Sequence, residues 1–466
     1  MVQKFNLWTA IGNSNTILNR KFQIQLLVTI AVNIITFSHG VGVGWLSPTL
    51  VKLQSNDSPL DFDINIEEAS WMGSLIGPGG LLGNLIFGAI IDKVGRKICI
   101  YMIAVPHIFL WIFIYFAKSV EYLYVARFLG GFTGGSAYVV LPIFISEIAD
   151  PSIRGTLASM LMLSLNFGVL LGFILSTHLA YHLIPFIVIF LPLVYLVTAI
   201  FFPETPQHLL RKSNYIAAEK SFNFYKHYGK RDETNVECQK QLNEFNDLKT
   251  IVINKKSDTK LTFKDFITKS ALKSFCTAAV LLIATQGSGS FAFINYMTHI
   301  FAASGTNLSP NTSTIIMGVV QIFGVYAAIL FVDRCGRKVL LLISTGGMSI
   351  GLTIFGLFTY FKPIDNDWIP VAVMGFVIFI ANIGVVTMTF VMLVELMPLK
   401  IRSIATSFCM AVLSVLVFIA LKAFPVLMNI WGISIVMWSC AAVSFVCLIY
   451  LSILLPETKG KPMDAE

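Results

Sequence analysis

Two short charged segments interrupt an otherwise apolar sequence. GAIIDKVGRK occupies residues 88–97 and FVDRCGRK occupies residues 331–338, and the aspartate of the second follows that of the first by 241 residues. We name them the first and second cassettes. At a helix end, an aspartate can cap a neighbouring helix N-terminus and an arginine can pair with a carboxylate. The charges in the cassettes that can do this are Asp92, Arg96, Asp333 and Arg337.

Two further motifs also occur twice and in the same order. In one, a glutamate is followed seven residues later by an arginine; in the other, a Pro-Glu-Thr segment stands at residues 203–207 and again at 456–460. The copies are 248 and 253 residues apart. Three ordered pairs at similar offsets predict a duplicated unit. The glutamates and arginines are Glu147, Arg154, Glu395 and Arg402.

These charges have two interpretations. Basic residues beside apolar segments can simply anchor a chain on the cytoplasmic side of a membrane. Because the motifs are paired, we favour gate ion pairs that hold helix ends together and release during a conformational change. Arg96 would meet Glu147 or another carboxylate, and Glu147 and Glu395 would each face the arginine seven residues on. Gly88 aligns with Ile329 of the second copy, which predicts closer helix packing in the first half.

The amino-acid composition indicates whether water or lipid surrounds the chain. Apolar residues make up 56% of the chain and charged residues 12%, and the mean hydropathy is +0.77. A soluble domain has about 25% charged residues, so we predict an all-α membrane protein. At about 20 apolar residues per crossing, we expect twelve transmembrane helices in two six-helix bundles. These spans cover residues 23–48, 70–91, 98–117, 121–146, 156–178, 183–202, 275–303, 312–332, 338–361, 367–394, 403–427 and 431–455.

The spans imply three segments and an orientation. Residues 1–202 are predicted to form an N-terminal six-helix bundle, 203–270 a cytoplasmic linker with short amphipathic helices, and 271–466 a C-terminal six-helix bundle. If the spans alternate, the basic residues fall on one side, so both termini are predicted to be cytoplasmic. The glycosylation sequons fall on the other side, in agreement with this topology, at Asn56, Asn307 and Asn311.

Together, these motifs resemble those of the sugar porter family of the major facilitator superfamily, over nearly the whole chain. The resemblance rests on GxxxDKxGRK at residues 88–97, RFLGG at 127–131, the two Glu-to-Arg elements and the two Pro-Glu-Thr segments. Finer features resemble the insect facilitated trehalose transporter branch: WLSP at 45–48, SWMGS at 70–74, and Lys422 with Phe424. The resemblance implies alternating access, in which two bundles rock about a central sugar site.

In that family, a sugar binds through hydroxyl groups to Asn and Gln side chains and stacks on aromatic rings. By resemblance, the candidate polar ligands lie deep in apolar spans, where an unpaired polar group is costly; they are Gln286, Asn166, Gln321 and Asn295. Hydrogen bonding between helices is the alternative role for each. Phe291, Phe390 and Trp45 could stack on the sugar, or serve only in packing. His39 is interpreted as a hydrogen-bonded helix residue rather than a proton relay.

The candidate site departs from the family pattern. The motif QQxSGxN reads TQGSGSF at residues 285–291, so the second Gln, the Ser and the Gly remain while the first Gln and the Asn are lost. The proline-rich GPxPxPW element of span 10 has lost every proline and ends in Phe390 instead of Trp. These changes leave the identity of the solute open, and they are consistent with a relative that no longer transports.

Energy coupling is inferred from residue types. The spans carry no Asp or Glu at mid-membrane depth and the chain has no P-loop. Proton transfer needs a titratable group that alternates between the two faces, so we expect facilitated diffusion rather than symport. The basic charge requires no nucleic acid, and the chain has no catalytic constellation, CxxC pair or other sign of a metal or cofactor.

The sequence therefore predicts a facilitative transporter, and not an enzyme, for a hexose or a trehalose-like disaccharide. It would lie in the bilayer of the plasma membrane, without a cofactor. Two alternatives stay open: a sugar-sensing relative that does not transport, and a transporter of another small polar solute. The sequence leaves the oligomeric state undecided.

Overall fold

The computed structural model describes residues 16–150, 152–226, 242–250, 263–306, 308–361, 368–398, 401–455 and 457. Within these residues, eleven helical segments are long and apolar enough to cross a membrane. A segment here includes any helix pair that continues across a short break.

The first half of the chain contributes six spans. Span 1 is Thr16–Leu53, span 2 is Ile66–Ser74 continued by Ile76–Val94, span 3 is Arg96–Tyr115, span 4 is Val120–Ile148, span 5 is Arg154–His178, and span 6 is Leu183–Val188 continued by Phe190–Ile200. Short helices follow at Pro206–Arg211, at Tyr215–Lys226 and over residues 242–250. They pack together through a small apolar cluster that includes Leu210, Ala218 and Phe245.

The second half begins with a short 3-10 helix, Phe263–Phe266. Span 7 is Lys269–Gly287 continued by Ser290–Ser304, span 8 is Pro310–Cys335, span 9 is Arg337–Phe361, span 10 is Ile369–Ile383 continued by Val385–Glu395, and the last helix is Arg402–Leu454.

The last helix contains both spans 11 and 12. It has 53 residues, which would measure roughly 80 Å if straight, far more than the hydrocarbon core of about 30 Å. Gly432 interrupts it with a φ of 77° and a ψ of 161°. Beyond that break the chain runs antiparallel to span 9, because Ser434 bonds to Thr359 and Ala441 bonds to Ser349. Residues 402–431 and 433–454 are therefore two spans, and the prediction of twelve is confirmed.

Since the spans alternate in direction, both cassettes lie on one face of the helical domain. We call it the cassette face, and the other the opposite face. The opposite face carries the connections at residues 54–65, 305–306 and 308–309.

Glycines let spans 1 and 5 approach closely. A Cβ atom added at Gly168 would overlap the carbonyl oxygen of Phe37, and one added at Gly40 would overlap that of Leu165. Backbones in direct contact are typical of helix packing through small residues in membranes. Four more glycines make equivalent contacts between spans 2 and 4: Gly79, Gly83, Gly131 and Gly135.

The prediction for Gly88 is wrong. No atom lies within 4 Å of the position that its Cβ would take. This glycine lies near the end of span 2, beyond the close contact with span 4, so its absence from the second cassette has no packing consequence.

Candidate functional site

Spans 7 and 10 are both broken near mid-depth. The first break passes through Gly289, whose φ of 80° strains any other residue. The second lies at Gly384 and is stabilised by Ser344, whose hydroxyl accepts from the Val385 N–H at 3.0 Å and donates to the Ile380 carbonyl at 2.7 Å. Span 10 is thus broken even though the prolines of the family motif are missing. The backbone groups freed by this break find a partner in the neighbouring span.

A cavity of about 150 Å³ lies between the two halves, beside both breaks. None of the described residues that line it is an Asp, Glu, Lys or Arg. Its wall is apolar with a few polar side chains, as in most small-molecule sites. These polar groups come from both halves and include His39, Asn84, Asn166, Gln286, Gln321 and Asn382.

Three amide side chains on this wall have unmet hydrogen-bonding capacity. The oxygens of Asn166, Gln286 and Asn382 are buried and have no partner within the described part of the chain. In Asn166 and Asn382 the amide nitrogen instead donates to a carbonyl one turn earlier, at 2.7 and 2.8 Å. Each buried acceptor without a partner costs about 1–3 kcal/mol. A ligand that donates hydroxyl hydrogens would recover this cost.

Most of the predicted ligands meet at the cavity. Gln286, Asn166, Gln321 and the two phenylalanines, Phe291 and Phe390, lie on its wall.

Asn295 lies elsewhere. Its side chain accepts from Arg127 at 3.2 Å and donates to the carbonyl of Phe291 at 2.9 Å, so it joins the two halves instead of lining the cavity.

Sequence reasoning missed Asn382 and undervalued His39. Asn382 has the same signal as Asn166, an amide inside an apolar span, and could have been found by it. His39 lines the cavity with its ring edge-on to Tyr138, with 6.4 Å between the ring centroids. Both residues therefore belong to the candidate site.

Phe390 also contacts the other half of the chain. Its ring is stacked on Tyr138, with 6.4 Å between centroids and 21° between planes. Both residues lie toward the cassette-face ends of their spans. The pair forms an aromatic contact between the halves on that side of the cavity.

Toward the opposite face, the halves are joined by what we call the interbundle layer. Ser47 lies 3.0 Å from the hydroxyl of Thr298, and its own oxygen accepts from the Thr298 N–H at 2.9 Å. The Arg127–Asn295 bond is the second contact. In the third, the Lys422 ammonium lies 4.1 Å from the centroid of the Trp71 ring. Polar, ionic and aromatic contacts thus close the cavity on this side.

Arg127 is buried with no carboxylate partner among the described residues. Only 2% of the residue is exposed, and besides Asn295 it donates to the carbonyls of Met72 at 2.9 Å and Gly42 at 3.0 Å. Its guanidinium therefore binds spans 1, 2, 4 and 7 together through neutral acceptors.

Arg96 of the first cassette is buried in a network of acids at the ends of the helices. Its Nη2 lies 2.9 Å from Asp92 and 2.9 Å from Glu147, so the predicted contact with Glu147 is present. Its Nη1 lies 2.9 Å from Nδ1 of His208. Thr205 donates to the other oxygen of Glu147 at 2.6 Å. The network ties spans 2 and 4 to the short helix after span 6.

The expected pairing of Glu147 with Arg154 is wrong in this conformation. Glu147 contacts Arg96 and Arg211, the latter at 3.6 Å. Arg154 is exposed at the first residue of span 5, with no ion pair to any described residue. The arginines of span 3 and of the helix after span 6 occupy the position that we had assigned to it.

In the second cassette, Arg337 pairs with Glu395 at 3.3 Å. Arg402 donates its Nε to the carbonyl of Met397 at 3.1 Å. The side chain of Asp333 lies outside the described residues. The ion pair from cassette to span end therefore occurs in both halves.

Two glutamates that the sequence analysis left without a role complete this repeat. Glu204 accepts from the N–H of Lys97 at 3.0 Å, and Glu457 accepts from those of Arg337 and Lys338 at 3.1 and 3.2 Å. Each carboxylate caps the N-terminus of span 3 or span 9, where it offsets the positive helix end. The signal was the repeated Pro-Glu-Thr segment itself.

The preceding glycines allow this approach. Gly95 and Gly336 have φ values of 108° and 86°, and an added Cβ would lie 2.7 Å from Glu457 at the second site and would overlap Glu204 at the first.

His208 is kept neutral within the first network. Burial, and then the positive charge of Arg96, lower the pKa of His208 below its usual value of 6.5. A neutral ring can accept from Arg96, whereas a protonated ring would repel it.

A family model described as "Sugar (and other) transporter" matches residues 51–465. The chain belongs to the sugar transporter family. Among curated proteins, this family member is 32% identical over 451 residues to the facilitated trehalose transporter Tret1 of Polypedilum vanderplanki, a match that covers 94% of the chain and 86% of the relative. It is 30% identical to the protein of that name from Culex quinquefasciatus, covering 94% and 84%. It spans 50% of the Drosophila mojavensis protein, at 30% identity.

Solved structures share the fold of this sugar transporter family member. The inward-open conformation of the xylose transporter XylE from E. coli superposes with a TM-score of 0.77 at 19% identity, covering 94% of the chain and 98% of the xylose transporter. The partially occluded inward-open conformation gives 0.73 at 18% identity, with coverages of 92% and 99%. The protein is therefore a multi-pass membrane protein with the major facilitator fold, as predicted.

Proposed function

We propose that this protein carries a neutral sugar, a hexose or a trehalose-like disaccharide, across a membrane by alternating access. The observation that carries the proposal is the cavity between the halves. It lacks a charged wall residue in the described chain, and it has three buried amide oxygens without partners. A sugar supplies hydroxyl donors without net charge, so it fits this wall better than an ion or an amino acid. The names of the curated relatives point to the same solute class.

Transport, rather than sensing or catalysis, is favoured by the broken spans. Both span 7 and span 10 retain a break beside the cavity, so the missing prolines do not leave span 10 rigid. In transporters that rock about a central site, the site is typically formed by such discontinuous helices. The curated relatives are named as transporters, which also favours transport over catalysis.

We assign gating to the two faces as follows. The interbundle layer closes the cavity toward the opposite face. On the cassette face the ion pairs Arg96–Glu147 and Arg337–Glu395 lie within a half and not between halves. If the cassette face is cytoplasmic, as its basic residues suggest, the conformation is closed to the outside. Asp92, Arg154, Asp333 and Arg402 complete the proposed gate charges.

Facilitated diffusion is the proposed energetics. Arg127 contacts two carbonyls and an amide in place of a carboxylate. The cavity wall likewise has no acid among the described residues. A bilayer-buried carboxylate that changes face is the usual proton carrier, and His39 is the titratable alternative on this wall.

The placement in the cell belongs to the same proposal. Residues 1–202 and 271–466 would be the two rocking bundles and 203–270 the cytoplasmic segment between them. Both termini would be cytoplasmic and the membrane would be the plasma membrane. The sequons at Asn56, Asn307 and Asn311 would then lie outside; Asn307 itself is not among the described residues.

The test is uptake of radiolabelled trehalose, glucose and fructose, with a charged sugar acid as control, by the purified chain in proteoliposomes. We expect saturable uptake of at least one neutral sugar, unaffected by a protonophore. Gln286→Ala and Asn382→Ala should each raise the KM, whereas Cys276→Ala, at an exposed position away from the cavity, should not.

The outcomes separate the alternatives. Uptake of a neutral non-sugar solute alone would replace the substrate class, and binding without uptake would favour a sensor. Uptake that collapses with the proton gradient would overturn facilitated diffusion, and His39→Gln would then identify the proton carrier.

A further inference from the structure

A second cavity, of about 580 Å³, opens between the halves at the opposite face. Its walls are the ends of spans 1, 2, 7, 9, 11 and 12. We call it the outer cavity and the one described above the central cavity. The outer cavity is several times larger, and its rim residue Asn429 is exposed.

The outer cavity has the same chemical character as the central one. No described residue on its wall is an Asp, Glu, Lys or Arg. His299 has a buried Nε2 without a hydrogen-bond partner in the described chain. Gln54 and Asn429 add two amides, and Tyr296 adds an aromatic wall whose hydroxyl already donates to the carbonyl of Leu421 at 3.0 Å. The wall thus offers an uncharged set of donors and acceptors beside a ring.

The interbundle layer separates the two cavities in this conformation. Tyr296 lines the outer cavity, whereas Asn295, the residue before it, is bonded to Arg127 within the layer. A solute in the outer cavity therefore lies on the far side of a closed barrier, where it can bind without opening the layer.

We propose that the outer cavity is a second binding site for a neutral polyhydroxyl solute, occupied while the interbundle layer is closed. His299, Gln54 and Asn429 bind its hydroxyl groups, and Tyr296 packs against its carbon face. The class of solute in this inference rests on the proposed function. The existence of the site rests on the geometry of the outer cavity alone.

Cysteine protection tests the proposal. Ala303→Cys places a thiol on the exposed wall without removing a proposed ligand. Its reaction with a charged maleimide is followed in nanodiscs, with the chain lacking this change as background because Cys276 and Cys335 are exposed. Trehalose and glucose are the probes, and glucuronate is the charged control. With solute at about twice its dissociation constant, labelling should slow about threefold, because only the empty site reacts.

Two further substitutions separate the cavities. The slowing should persist when Gln286→Ala weakens the central cavity, and should vanish with His299→Leu. No slowing, equal slowing by glucuronate, or slowing that disappears with Gln286→Ala would overturn the outer site. If a variant does not fold, Ile66→Cys, at another exposed wall residue, replaces the reporter, or Gln54→Leu replaces His299→Leu. Protection without uptake in proteoliposomes would contradict the transport function and leave the outer site standing.

Discussion

Arg96 and Arg337 occupy equivalent positions in the two halves but differ in burial. The side chains of Arg96 and Glu147 are 2% and 5% exposed, against 19% and 13% for Arg337 and Glu395. Removing one partner of a buried pair costs about 3–5 kcal/mol, and a pair nearer to water contributes about 1 kcal/mol or less. Arg96→Ala should therefore lower the melting temperature more than Arg337→Ala.

Thermal unfolding of the two purified variants in the same detergent measures this difference. Arg96→Lys is the matched control for charge, since it keeps the cation and loses the forked geometry. Equal losses of melting temperature for the two alanine variants would contradict the prediction. They would show that the two ion pairs contribute equally to stability despite their different burial.

His208 predicts an acid sensitivity of the first cassette. Its pKa in the folded chain is lowered by burial and by Arg96, below the usual value of 6.5. The unfolded chain then binds more protons at mildly acidic pH, so stability is full above about pH 6.5 and falls as the pH drops through the folded pKa. Melting temperatures at neutral and acidic pH should diverge more for the natural chain than for His208→Gln. Parallel pH profiles would remove His208 as the cause.

Residue types predicted many of the residues in the candidate site. They predicted the hydrogen-bond and ion-pair partners of those residues less well. The deep amides Gln286, Asn166 and Gln321 were identified by resemblance to the family, and the cost of a polar group in an apolar span supported them. The contact of Arg96 with Glu147 followed from opposite charges at helix ends. Glu204 was not assigned, because its partner is a backbone N–H group at the start of span 3. Every residue except proline has such a group, so the sequence does not indicate which one a carboxylate will cap.

At the scale of helices, the glycine contacts of spans 1 and 5 provide a test with an internal control. Gly168→Ala would place a methyl group against the carbonyl of Phe37, whereas Gly88→Ala would place one in open space. Overpacking costs about 1–3 kcal/mol, while Ala instead of Gly in a free helix position gains about 0.5–1 kcal/mol. The two variants should shift the melting temperature in opposite directions. A loss of stability with Gly88→Ala would contradict the open space.

Helices were predictable because their apolar length is set by the bilayer, but their breaks were not. The break at Gly384 depends on Ser344, a residue of another span that lies about 40 positions earlier in the chain, and no local pattern records that partnership. The turn at Gly432 lies inside one continuous apolar run, so the sequence marks two spans there by length alone. Length predicts crossings, and long-range hydrogen bonds decide where a crossing bends.

At the scale of the whole molecule, Lys422 is predicted to favour the conformation closed at the opposite face. It joins span 11 to span 2 through the Trp71 ring and through the Glu67 carboxylate at 3.9 Å, and the cation–π contact contributes about 0.5–2 kcal/mol. Lys422→Gln should therefore speed the reaction of a central-cavity reporter, Ser290→Cys, with a maleimide applied at the opposite face of oriented vesicles. A shift of about 1 kcal/mol changes the accessible population about fivefold.

Lys52→Gln is the matched control. Lys52 is also a cation at the opposite face, but its ammonium donates to the carbonyls of Ser176 and Thr177 within its own half. Its loss should leave the labelling rate unchanged. If both substitutions speed labelling equally, general charge and not the contact with Trp71 would govern the closure.

The capping glutamates have a consequence for ancestry. Glu204 and Glu457 each come after the sixth span of their half and return to the start of its third. Each half thus carries, after its sixth span, a residue that contacts its own third span, so the residues that close each bundle lie within the predicted repeat itself. A gene segment of this kind can be doubled and still encode two finished bundles, after which only the surface between them needs to evolve.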